Sequence, residues 1–124
     1  MNRTLKQVAT LVISVAAFCG MLGLLAVAAT RKTDAADGKQ IYAAKCVICH
    51  KADGSGGFKL TGNPTPDWRN SKIMSTPAHS DSALRDCITN GKPKSGMVAW
   101  VKSGQLKPVQ AEDLIAYIRT FSKK

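Results

Sequence analysis

Cys46, Cys49 and His50 fall within one five-residue run, Cys46-Val47-Ile48-Cys49-His50, and no other feature of the chain narrows its possible folds as far. Two thiols three positions apart can each add to one of the two vinyl groups of haem. The adjacent imidazole is then placed to coordinate the iron from the same side. CxxCH occurs once. Other chemistries suit the cluster less well. A structural zinc site usually takes four ligands, often as two CxxC pairs, and the other candidates, Cys87 and His79, lack paired spacing. A thioredoxin-like pair opens a helix after a strand, whereas this pair follows a predicted helix. A simple disulfide would have no use for His50.

A chain of 124 residues allows one modest domain. Its apolar residues are unevenly placed. From Val8 to Ala29 the sequence reads VATLVISVAAFCGMLGLLAVAA, 22 positions without a charge. As a helix this block would be about 33 Å long, enough to cross a bilayer core of roughly 30 Å. Arg3 and Lys6 precede it as in an export signal. Cleaved signals have a shorter apolar stretch, about 7–15 residues, so the length favours a retained anchor. Ala26-Val27-Ala28 offers a cleavage site as the alternative, and Phe18 before Cys19 disfavours a lipid-modified cysteine. Residues 1–29 are therefore expected to be a signal-anchor helix or signal peptide, 30–36 a polar tether and 37–124 the exported domain. The net charge is +10; without Arg3 and Lys6 it is +8. Such a basic domain suits an acidic partner or an anionic membrane face, and export argues against nucleic acid.

Within the domain the first helix is predicted from Asp37, as N-cap, to about Val47, with Gly38 and Tyr42 four apart on one face. KADGSGGFKLTGNPTPDW after His50 reads as loop, and residues 67–76 as room for a short helix. Ser80 as cap and Asn90-Gly91 as stop bound a further helix, with Ala83, Leu84, Cys87 and Ile88 on its apolar face. The last helix runs from Pro108 to Ser122. Leu114, Ile115, Tyr117, Ile118 and Phe121 form its buried stripe; Glu112 and Asp113 lie toward the positive end of the helix dipole. No strand pattern competes. The class is all-α, with three to four helices too few and too short to bury much surface without a large apolar cofactor.

DGKQIYAAKCVICHKADGSGG, LTGNPTPDWR, ITNGKPKSGMVAW and DLIAYIRTF, in that order, resemble the class I, mitochondrial-type c cytochromes over Asp37 to Phe121. The resemblance implies a small cytochrome c fold around one covalent haem c, attached at Cys46 and Cys49, with His50 as proximal iron ligand. It implies that Gly38 and Tyr42 cross the last helix near Leu114 and Tyr117. Met97, after the loop GKPKSG, matches the distal ligand; a thioether there stabilises reduced iron and raises the potential. Val98 stands where Pro commonly follows that Met. Leu60 matches the family's leucine, near which a backbone carbonyl is implied to hold the second nitrogen of His50.

His79 is the rival distal ligand, and Met74 reads as packing. Trp68 and Trp100 are candidates for packing on haem edges or in the core. Arg69 is a candidate propionate partner or a solvated surface residue, and Cys87 reads as a small buried residue. Lys51, Lys59, Lys92, Lys94 and Lys102 flank the haem-binding and ligand loops. The function expected is single-electron transfer to acidic redox proteins at the periplasmic side of the inner membrane, anchored by the N-terminal helix or soluble after signal cleavage. The alternatives are an electron-transfer subunit of a larger haem-dependent oxidoreductase and a small haem enzyme with a labile sixth ligand. Oligomeric state has no signature in the sequence.

Overall fold

The computed structural model describes residues 31–123. The chain divides into two units, Met1–Arg31 and Lys32–Lys124. The expected apolar anchor and Cys19 lie outside the described residues. Among the described residues no helix is long and apolar enough to cross a membrane.

The second unit is helical, with α1 at Ala35–Lys45, α2 at Val47–His50, α3 at Ser71–Met74, α4 at Asp81–Asn90 and α5 at Pro108–Phe121. Single 3₁₀ turns occupy Pro77–His79 and Pro93–Ser95. Extended pairing among the described residues is limited to one isolated antiparallel bridge, Lys92 with Met97. The count exceeds the three to four helices expected because α2 and α3 are four-residue turns.

Local chemistry explains most of the boundaries. Ser80 Oγ accepts the Ala83 N–H at 3.2 Å and starts α4, and Gly91, at φ 70°, ends it. Pro108 opens α5, where the Lys107 N–H donates to Gln110 Oε1 at 2.8 Å. The cap of α1 is Asp34 rather than Asp37: Asp34 Oδ1 accepts the Ala36 N–H at 2.8 Å. A tertiary contact fixes Asp34 in turn, because its own N–H donates to Asp113 Oδ1 at 2.8 Å.

α1 and α5 make the most extensive helix–helix contact among the described residues. Gly38 makes it possible, since a Cβ there would stand 2.0 Å from the Asp113 carbonyl oxygen and 3.0 Å from Tyr117 Cβ. One turn on, the Tyr42 ring meets those of Tyr117 and Phe121, both at 5.3 Å between centroids. Tyr42 O–H donates to the Lys51 carbonyl at 2.6 Å and ties the end of α2 to this crossing. Leu84, Ile88, Leu114, Ile115 and Ile118 continue the core with Met74, which packs as expected.

Two acidic residues expected to favour the helix dipole have other work. Asp113 is fully buried and holds Asp34, and Glu112 pairs with Arg85 Nη2 at 2.8 Å. Arg119, in the last turn of α5, reaches Asp81 Oδ1 at 2.8 Å and the carbonyls of Met74 and His79 at 3.0 and 2.6 Å. It thereby joins α3, the Pro77–His79 turn and α4 to α5.

Candidate functional site

α2 begins where α1 breaks. Cys46 leaves the first helix at φ −115°, the chain makes one further turn, and Lys51 ends it at φ 60°. This turn carries Cys46, Cys49 and His50 to one wall of a cavity of about 260 Å³. Met97 borders the same cavity, as do Leu84, Ile88, Leu114 and Ile118. Protein interiors are close-packed, with few voids larger than a water molecule, so a space of this size with largely apolar walls is a candidate binding site.

Cys46 and Cys49 are both free thiols. Burial pushes the Cys46 thiol up to about 11. His50 is 8% exposed, and burial lowers its pKa to about 4. The ring is therefore neutral at ordinary pH, the form in which imidazole binds a metal. Its Nδ1 has no hydrogen-bond partner among the described residues. The carbonyl bond implied near Leu60 is not formed, and Leu60 is 64% exposed.

Trp68 covers the imidazole instead. The two rings are stacked 4.2 Å apart at 10°, and Trp68 is 5% exposed. The loop returns to this place through its backbone: Gly56 N–H donates to the His50 carbonyl at 3.2 Å, Gly57 N–H to Thr65 at 2.9 Å, and Trp68 N–H to Gly54 at 2.9 Å. Gly56 is at φ 60°, and a Cβ on it would lie 2.2 Å from the Pro66 carbonyl oxygen. The sequence offered Trp68 for packing on a haem edge or in the core, and a carbonyl near Leu60 for the second nitrogen of His50. The backbone bond to Gly54 brings Trp68 onto the ring.

On the Met97 side, Gly91 and the 3₁₀ turn at Pro93–Ser95 fold the chain sharply. Lys92 and Met97 exchange two backbone hydrogen bonds, at 3.0 and 3.1 Å. Gly96 turns left-handed at φ 76° immediately before Met97. Trp100 N–H donates to the Ile88 carbonyl at 3.0 Å, which pins the loop back to α4. These bonds give the loop the stiffness that Val98, standing where the family has Pro, does not supply.

His79 also borders the cavity, but its Nδ1 is engaged with Thr76 Oγ1 at 3.1 Å. Cys87 is half-buried, and its Sγ lies 3.2 Å from Met97 Sδ; burial raises its pKa. Arg69 is occupied by Asp53 and Asp67, at 3.0 and 2.9 Å. Trp100 borders the cavity, and Lys45 Nζ lies 5.1 Å from its ring centre. Lys51, Lys59, Lys92, Lys94 and Lys102 are all exposed. Among the described residues no group of three or more His, Cys, Asp and Glu side chains could hold a bare metal ion.

The family model described as cytochrome C oxidase, cbb3-type, subunit III, matches residues 33–118. The chain belongs to this family. Its domain is thus a c-type cytochrome domain, which binds haem covalently and works in electron transfer. The match includes Asp34, the cap that lies before the expected domain start at 37. Comparison with curated proteins gave no match. The residues present suit the cofactor: two free thiols and a neutral, buried imidazole lie at the edge of an apolar cavity. Haem would supply a redox-active iron there, with Cys46 and Cys49 to attach it, His50 to ligate it and the apolar walls to keep water away.

Proposed function

We propose that this chain carries single electrons on one haem c held by thioether bonds at Cys46 and Cys49, with His50 and Met97 as axial ligands. The observation that carries the reading is that Met97 and His50 border one cavity, each set there by its own hydrogen-bonded backbone turn. A thioether opposite an imidazole favours reduced iron and raises the potential. With both axial positions filled from the chain, a substrate has no path to the metal. That argues for a carrier over the small haem enzyme with a labile sixth ligand.

The matching family's description favours a second reading, in which the chain is the electron-transfer subunit of a larger oxidase complex. Both readings put residues 30–124 on the periplasmic face of the inner membrane, with residues 1–29 as anchor or cleaved signal. Both use the exposed lysines around the cavity to attract an acidic redox partner. Phe58, Leu60 and Val98, exposed and bordering the cavity, supply an apolar contact for the same partner.

Optical spectra of wild type and Met97→Ala in both redox states test the ligation. The wild type is expected to be low-spin, with the weak far-red band of a thioether on ferric iron. The variant should lose that band, bind added imidazole and show a lower potential. A five-coordinate, ligand-accessible iron in the wild type would overturn the carrier reading. Mass spectrometry of the mature protein should show one haem adduct and settle whether residues 1–29 remain. Purification in mild detergent separates a free carrier from a subunit that stays with a larger complex.

A further inference from the structure

The Met97 thioether has a neighbour that the ligand assignment does not use. Cys87 Sγ lies 3.2 Å from Met97 Sδ. A thioether has no proton to give, so the thiol is the donor and the thioether the acceptor. Both sulfurs stand on fixed backbone. Cys87 is in the last turn of α4, where its carbonyl accepts the Gly91 N–H at 2.9 Å. Met97 closes the bridge with Lys92, and the chain beyond it is pinned by Trp100 N–H to Ile88 and by Lys102 N–H to Thr89, at 3.0 and 3.1 Å. Cys87 borders the same cavity as Met97.

We propose that Cys87 is a positioning residue for the distal ligand: its S–H donates to one lone pair of Met97 Sδ, which leaves the other directed at the iron. This rests on the His50/Met97 ligation proposed above. The contact does two things. It restrains the flexible Met97 side chain, so the sulfur faces the cavity before the cofactor is in place. It also draws electron density from the sulfur, making it a poorer donor to ferric iron, which tilts the couple toward the reduced state.

The test uses the full-length holoprotein with Cys87→Ala, Cys87→Val and Cys87→Ser. Ala and Val remove the donor, and Val keeps the space filled. Ser keeps a donor at similar size. Loss of the donor is expected to lower the equilibrium constant for reduction about threefold, which is about 28 mV for one electron at 59 mV per tenfold. It should also shift the far-red ferric thioether band. Ser should restore most of both. If all three variants keep the wild-type potential and band, or if Ser falls as far as Ala and Val, the thiol has no such role. Met97→Ala separates the two claims. If it removes the band while the Cys87 variants change nothing, the ligation stands and the Cys87 proposal fails. If it leaves the wild-type spectrum intact, both fail.

Discussion

His50 combines a burial that strips its proton with a flat neighbour that fixes its plane. Burial disfavours the imidazolium, so the pKa falls below the usual 6.5 to about 4. The sign follows: the neutral ring, and whatever depends on its lone pair, persists above that value and is lost below it. Trp68 is the second determinant, parallel to the imidazole at 4.2 Å. Trp68→Ala should cost about 3–5 kcal/mol of holoprotein stability and broaden the spectral signature of the iron–imidazole bond. Trp68→Phe should recover most of the loss, since it keeps a flat ring. Denaturant unfolding monitored at the Soret band measures both. CxxCH made Cys46, Cys49 and His50 legible as chemistry in the sequence, but the indole cover was not legible. A stacking partner is chosen by where a loop returns, and the glycine-rich segment after His50 has no periodicity to reveal that.

Among the elements, α4 and α5 follow the sequence closely because their end signals are local. Ser80 caps the first and Pro108 opens the second, and neither needs help from elsewhere. α1 is capped three residues earlier than expected, at Asp34 rather than Asp37, because Asp34 is anchored by Asp113, 79 positions away. No window around Asp34 contains that information. The crossing of α1 and α5 was implied by the family resemblance at Gly38 and Tyr42, and the contact with Tyr117 is observed. Gly38→Ala drives a methyl group toward the Asp113 carbonyl oxygen, where backbone rather than a flexible side chain must yield. Overpacking of this kind costs about 2–3 kcal/mol. The expected result is a lower midpoint in thermal unfolding of the holoprotein, with the spectrum of the folded state unchanged.

For the whole molecule, the cavity is part of the core. The helices of the described unit bury Leu84, Ile88, Leu114 and Ile118 around a space that side chains alone leave open. Domains this small rarely supply enough apolar burial without a staple or cofactor. Replacing both Cys46 and Cys49 by Ser should therefore do more than remove the covalent chromophore. The full chain should lose haem on acid–acetone extraction and more than about half its helical circular dichroism. Retention of full helicity in the variant freed of haem would show that the helices hold together on side-chain packing alone.

The sequence by itself determined the cofactor, the helical class, the starts of α4 and α5 and the basic charge around the ligand loops. Each depends on neighbours a few positions apart: two thiols and an imidazole, a serine before an apolar stripe, a proline at a helix start. Tertiary structure alone decided that Trp68 stacks on His50 while no carbonyl near Leu60 reaches its second nitrogen, that Asp34 rather than Asp37 starts α1, and that Cys87 meets Met97. Those contacts join parts of the chain whose separation along the backbone leaves no local pattern. Loop closure and the packing of the two long helices select them, and both are properties of the folded chain.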